Sequence, residues 1–307
     1  MKRIMMLICA GMFCSSAVHA ALDIPGFVPD RIVVYKTVDG IELTLHVFNP
    51  PDLKKGDARP AALFFFGGGW FDGNQSQFHA QCRYLANRGM VACSADYRVK
   101  ARHHTTPYES VEDARSAIRW MREHATELCI DPNRIAAGGG SAGGHLAAML
   151  GNETDCDETT DDLSVSARAD ALLLFNPPTD MTAERYADKK SGSNEEWRKI
   201  SPLHTLTENT PPMILFHGIN DSAVPVDESK AYKQKADAQG VRCELYLYPH
   251  RNHGFFNYLG DKKDFNSTMM KTDQFLENLG WLSGTSTLDT NPLEPDVKND
   301  TAEKQNH

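Results

Sequence analysis

No CxxC pair and no tight cluster of cysteine with histidine occurs in the 307 residues, which argues against a zinc site. Basic residues are in deficit: Lys plus Arg total 32 against 41 for Asp plus Glu, a formal charge of -9. Such a chain lacks the electrostatic footprint that nucleic acid or anionic lipid requires, and it is weakly biased against polyanionic substrates. There is no internal repeat. With 41% hydrophobic and 24% charged residues and a mean hydropathy of -0.45, the composition excludes a membrane channel, a collagen-like fibre and a mainly disordered chain. What remains is one globular domain, or at most two, long enough to bury a large core.

The first apolar run, Ile4 to Phe13, is too short to span a bilayer. It follows Lys2 and Arg3 and precedes Val18-His19-Ala20, the layout of a secretory signal peptide cut before Ala21. Cys9 and Cys14 lack the small-residue context of a lipid-modified cysteine, so free release is expected, with no stable membrane anchoring. Cleavage would remove Lys2 and Arg3 and take the charge from -9 to -11. Five cysteines would remain: Cys82, Cys93, Cys129, Cys156 and Cys243. Export permits disulfides, the odd count leaves at least one thiol over, and the apolar surroundings favour core positions for most of them. From Thr285 to His307 aromatic residues are missing and polar ones dominate, so residues 285–307 are expected to be a disordered tail. A single domain is expected over 21–284.

Between these ends strands alternate with helices. Arg31 to Val38 and Ile41 to Phe48 are β-rich and flank Asp39-Gly40, a hairpin signal. Short apolar runs at Ala61 to Phe66, Met90 to Ala95, Arg134 to Gly139, Ala171 to Phe175, Met213 to His217 and Cys243 to Tyr248 predict buried strands. Helical spacing predicts helices over Gln75 to Arg88, Tyr108 to Ala125, Ala142 to Leu150, Asp227 to Gln239 and Asn266 to Leu279. The order implies an α/β fold: a mostly parallel sheet with helices on both faces and right-handed crossovers.

Four places carry chemistry. Gly139-Gly140-Ser141-Ala142-Gly143 is a G-x-S-x-G between a strand and a helix, the context of a nucleophile elbow. Phe66-Gly67-Gly68-Gly69-Trp70 follows the third strand. Consecutive glycines let backbone N–H groups approach a ligand, and with the Ala142 amide they would form an oxyanion hole. Asp221 follows the Met213 strand and is placed to orient a histidine, in competition with Asp180 and Asp227. His253, before Gly254, and His250, beside Pro249, follow the Cys243 strand; a loop-tip His253 can reach the serine, and His250 is expected to bond its own loop.

The order Ser, Asp, His, the Gly67-Gly68-Gly69-Trp70 loop, Asp96-Tyr97-Arg98 and Gly139 to Gly144 with His145-Leu146-Ala147 together resemble secreted bacterial α/β-hydrolase esterases. The nearest groups are hormone-sensitive-lipase-like carboxylesterases and feruloyl- or acetylxylan-esterase-like enzymes. The resemblance spans about Ile32 to Leu282. It implies Ser141 as nucleophile, His253 as base, Asp221 as orienter, Gly68, Gly69 and Ala142 as oxyanion donors, and no cofactor. These families usually carry His before the glycines, where this chain has Phe66, so packing is expected to brace the loop instead.

Trp70, and with less support Trp197, are candidates to stack on a sugar or an aromatic acyl group. Met181 to Lys199 lies where such folds carry a cap and is highly charged, which argues against a lipid-facing lid. The expected substrate is a soluble short-acyl ester, foremost an acylated saccharide. A serine peptidase or amidase on the same fold, or a non-catalytic binding protein, are the alternatives. The segment before Ala61 is too short for the propeller of prolyl-oligopeptidase-type enzymes.

Overall fold

A computed structural model describes residues 27–152, 154–189, 193–284, 286 and 288. The expected leader, with Met1 to Ala20, lies outside the described residues. Eight strands form one sheet: β1 (Arg31–Val38), β2 (Ile41–Phe48), β3 (Arg59–Phe65), β4 (Val91–Ala95), β5 (Ile130–Gly140), β6 (Ala171–Phe175), β7 (Met213–Gly218) and β8 (Cys243–Tyr248). Their order is β1-β2-β4-β3-β5-β6-β7-β8. β1, β2 and β4 pair antiparallel, and every pairing from β4 through β8 is parallel. This is the α/β-hydrolase fold expected from the motif order.

Local chemistry explains the elements. Asp39 and Gly40 both adopt positive φ, 51° and 78°, the combination that a two-residue hairpin turn needs to match strand twist. The helix Pro107–Glu123 starts at a capping box made by Thr106 and Glu109, with Pro107 in the first turn. It turns Val111, Ala114, Ile118 and Met121 inward. The central strands alternate between two cores: Leu63 and Phe65 join one cluster, Ala62 and Phe64 the other. The helices Pro107–Glu123, Ala142–Met149 and Val226–Ala238 cover the first face, through residues such as Val111, Leu146 and Tyr232. His79–Asn87 and Lys262–Asn278 cover the second, through residues such as Leu85 and Phe265.

The chain leaves β3 toward β4 on one side and then crosses to β5 on the other. That reversal opens a crevice beyond the carboxyl ends of β3 and β5, where ligands bind in open α/β sheets. Two details differ from expectation. β5 begins at Ile130, not Arg134, because Ile130 pairs with Arg59 before a register shift. The last helix begins four residues early, at Lys262, with Asp261 as its cap. The expected tail, residues 285–307, lies outside the described residues except for 286 and 288: the Ser286 hydroxyl lies 2.8 Å from that of Tyr84, whose own proton goes to Asp273 at 2.6 Å, and Leu288 is buried in the second core.

All five cysteines after residue 20 are buried and free. Burial pushes the Cys93, Cys156 and Cys243 thiols up to about 12, so these are packing groups and not reactive thiolates.

Candidate active site

Ser141 stands between β5 and the helix Ala142–Met149 with φ 55° and ψ -122°, a conformation that costs an L-residue energy and needs its neighbours to hold it. The glycines around it are close-approach positions. A Cβ on Gly139 would meet the Gly143 carbonyl oxygen at 2.4 Å, and one on Gly143 would meet the Phe65 oxygen at 2.0 Å. The elbow is thus pressed against the end of β3. Ser141 donates its N–H to the Phe175 carbonyl at 2.9 Å, which fixes the turn over β6.

His253 and Asp221 come together from the ends of β8 and β7. His253 Nδ1 lies 2.7 Å from Asp221 Oδ2. A carboxylate only accepts, so Nδ1 carries the proton and Nε2 is left as an acceptor. The other carboxylate oxygen accepts from the amides of Ala223 and Val224, each at 2.9 Å, and His217 Nε2 stands 3.4 Å from Oδ2. Burial pushes the Asp221 carboxyl up, but the hydrogen bonds from His217, His253 and Val224 outweigh it and hold the group well below the usual carboxylate range. The competing acids are elsewhere engaged: Asp180 caps Thr182, and Asp227 pairs with Lys230 on the surface. His250 is exposed at φ 61° and makes no described hydrogen bond, so the loop-bonding role expected of it is not seen.

The histidine loop lies over the elbow. The Phe256 ring occupies the space where a Gly140 Cβ would sit, 2.2 Å from its Cζ, and Gly254 donates its N–H to Asn176 Oδ1 at 3.2 Å. No hydrogen bond joins Ser141 to His253 among the described residues; catalytic hydrogen bonds of this kind often tighten only in the complex with substrate.

The glycine loop runs beside the serine: a Cβ on Gly67 would lie 3.2 Å from Ser141 Cβ. Gly67 donates its amide to Gln77 Oε1 at 2.6 Å and is thereby spent. The amides of Gly68 and Gly69 have no acceptor among the described residues, nor has that of Ala142 at the helix start, where no intrahelical partner exists. Gly68 at φ 131° and Gly69 at φ 64° use backbone freedom that other residues lack.

The loop is braced by packing, as expected of Phe66, and also by hydrogen bonds. Phe66 stacks on Tyr97 at 4.2 Å, and the Tyr97 hydroxyl donates to the Phe66 carbonyl at 2.8 Å. Gln77 Nε2 donates to Asn257 Oδ1 at 3.1 Å, and Asn257 Nδ2 donates to the Gly254 carbonyl at 2.8 Å. Gln77 and Asn257 therefore tie the glycine loop to the histidine loop, a link no sequence motif announced. Gln77→Leu is expected to lower kcat about tenfold with little change in KM, the loss of a positioning bond worth about 1–1.5 kcal/mol. Steady-state kinetics on a p-nitrophenyl ester checks this, and Gln77→Glu, which keeps the acceptor for Gly67, should fall in between.

Trp70 is a correction. Its indole is 3% exposed, edge-on to His145 and Tyr186, and its Nε1 donates to His145 Nδ1 at 3.3 Å. His145 Nε2 in turn donates to the Ile200 carbonyl at 2.6 Å, and burial lowers its pKa to about 4, so it stays neutral. Trp70 thus presents no open face for stacking; it fastens the glycine loop to the serine helix. Trp197 is fully buried against Tyr108. The Met181 to Lys199 segment, expected to be highly charged and without an apolar face wide enough to lie on lipid, turns Met181, Tyr186 and Trp197 inward, and its charged side chains among the described residues are exposed or half-buried.

A hydroxyl on a strained elbow, an imidazole oriented by a carboxylate and three free amides are the parts that acyl transfer uses. Residues 45–236 match the family model described as BD-FAE. The chain belongs to the BD-FAE family. This BD-FAE member is 31% identical over 221 residues to Esterase LipC of Mycobacterium tuberculosis, covering 64% of its own length and 53% of the relative. It therefore spans about half of that curated relative. Among solved structures it is similar to Thermogutta terrifontis esterase 2 phosphorylated by paraoxon, at 40% identity and TM-score 0.79, covering 85% of this chain and 97% of that one. The propionate-bound form of that esterase gives 41% identity and TM-score 0.80, with coverage of 85% and 97%. Among the described residues no group of three or more His, Cys, Asp or Glu side chains is arranged to hold a metal, and no helix is long and apolar enough to cross a membrane.

Proposed function

We propose that this BD-FAE member is a serine carboxylic-ester hydrolase working through an acyl-enzyme. The observation that carries the reading is the layer at the carboxyl ends of the strands: Ser141 at φ 55° beside the His253–Asp221 pair at 2.7 Å. His253 Nε2 takes the Ser141 proton as Oγ attacks the ester carbonyl. Asp221 holds the tautomer and balances the imidazolium. The amides of Gly68, Gly69 and Ala142 receive the oxyanion. His253 then gives the proton to the departing alcohol, and water repeats the sequence to release the acid. The similar esterase that paraoxon phosphorylates supports a nucleophile on this scaffold.

The substrate is proposed to be a soluble ester with a short acyl group, and its propionate-bound relative supports that. Export is proposed from the leader-like residues 1–20, and an acylated saccharide is the natural ester class that suits an exported enzyme; with Trp70 and Trp197 buried, no stacking tryptophan adds to it. Rates on p-nitrophenyl esters are expected to fall as the acyl chain grows beyond a few carbons. Stopped assays from acetate to palmitate check this, and a jump above the solubility limit of a long-chain ester would overturn it. Absence of hydrolysis across the series would overturn the ester-hydrolase reading.

A further inference from the structure

Beyond Gly69 the glycine loop borders a cavity of about 290 Å³. This is at the small end for ligand sites and has room for one ring with its substituents. Its walls mix apolar surface with two lysines and one carboxylate, that of Asp188. Phe71, Pro107 and the edge of Trp70 supply the apolar part; Lys100 and Lys189 supply the cations. Phe71 is 57% exposed, one of eight large apolar side chains exposed among the described residues and the aromatic one of that set. Its backbone is not loose, since its carbonyl accepts the Ala101 amide at 2.8 Å and the Trp70 carbonyl accepts the Lys100 amide at 2.9 Å. An aromatic face is thus held out at the rim by the same segment that carries Lys100.

The positive charge is cancelled only in part. Lys189 is paired at 3.1 Å with Asp188, itself a lining residue, whereas Lys100 is exposed and has no ion-pair partner among the described residues. The hydroxyl of Thr105, another lining residue, is buried without a hydrogen-bond partner. A chain of net charge -9 therefore keeps one unpaired lysine and an exposed ring around a cavity that Gly69 of the glycine loop borders. Charged groups beside an apolar wall select a ligand that has both features.

We propose that this cavity is the alcohol-side subsite and that it selects esters whose alcohol is a ring bearing a carboxylate. The ring lies against Phe71 and Pro107, and the carboxylate meets Lys100, the lining cation left without a partner. The inference rests on the short-acyl ester-hydrolase reading, since a small acyl group leaves the alcohol as the part to be recognised. An aromatic hydroxy acid and a uronic acid sugar share this chemistry.

The test uses acetyl esters in matched pairs: 4-acetoxybenzoate with 4-acetoxybenzamide, and an O-acetylated methyl galacturonide with its uronamide. The readout is the carboxylate-to-carboxamide ratio of kcat/KM, compared between wild type and Lys100→Gln, so that intrinsic reactivity cancels. A partly exposed ion pair contributes a few-fold, so the wild-type ratio is expected to exceed the variant's by about three- to fivefold. In wild type alone it should decline at about 0.5 M salt, where exposed charges are screened. The pair that shows the effect identifies the aromatic or the sugar source. Ratios equal within about twofold in both pairs would overturn the subsite while p-nitrophenyl acetate is still turned over. Failure of wild type on p-nitrophenyl acetate as well would overturn the ester-hydrolase reading instead.

Discussion

Ser141→Ala is expected to abolish hydrolysis, lowering kcat by about 10⁴-fold or more, because a nucleophile removed from a triad leaves only the oxyanion donors and binding. The fold should survive. Ser141 contributes its backbone to the elbow through the bond to Phe175, and alanine keeps that bond. Covalent labelling by paraoxon, read by mass spectrometry, should disappear in the same variant. Ser141→Gly makes a second, opposite expectation about stability. At φ 55° and ψ -122° an L-residue is strained by about 1–3 kcal/mol, and glycine is not. The glycine variant should therefore be inactive and yet unfold at higher denaturant than Ser141→Ala. Near wild-type turnover in Ser141→Ala would remove the serine from the mechanism. Equal stability of the two variants would remove the strain argument.

Asp221→Asn should lower kcat by about 10⁴-fold, through a tautomer and not through lost geometry. The amides of Ala223 and Val224 hold one carboxylate oxygen, so the asparagine oxygen stays with them and its NH₂ turns to His253 Nδ1. That forces Nδ1 to accept and leaves the proton on Nε2, where it blocks the uptake of the Ser141 proton. The same substitution has a pH signature. Because the Asp221 carboxyl is held below its usual range in the fold, the carboxylate contributes stability that is fully present above the unfolded value of about 3.9. That contribution is lost as pH falls through the depressed folded value. The stability difference between wild type and Asp221→Asn should therefore be constant near neutrality and shrink below about pH 4. Urea unfolding at a series of pH values measures it, and a difference that grows on acidification would contradict the assignment.

Much of this was legible from residue order. Strand β1, strand β2 and the Asp39-Gly40 turn could be read because alternation and turn chemistry are local. The elbow could be read because a strand end, two glycines and a helix start need no partner from elsewhere to be recognised. Asp221 and His253 followed from their positions after apolar strands, since parallel strands in one sheet bring their carboxyl ends to one edge. The tertiary structure decided what depends on groups far apart in the chain. Gln77 reaches Asn257 across 180 residues, and no spacing rule encodes such a contact. Trp70 looked like a platform because tryptophan beside a glycine loop can face either way. The buried neutral His145, 75 residues on, accepts its indole N–H and turns it inward, leaving Phe71 as the exposed ring. The charged Met181 to Lys199 stretch hid Trp197, because a few inward apolar side chains suffice to seat a short segment on an existing core. Periodicity over so few residues carries too little signal to show which face is buried.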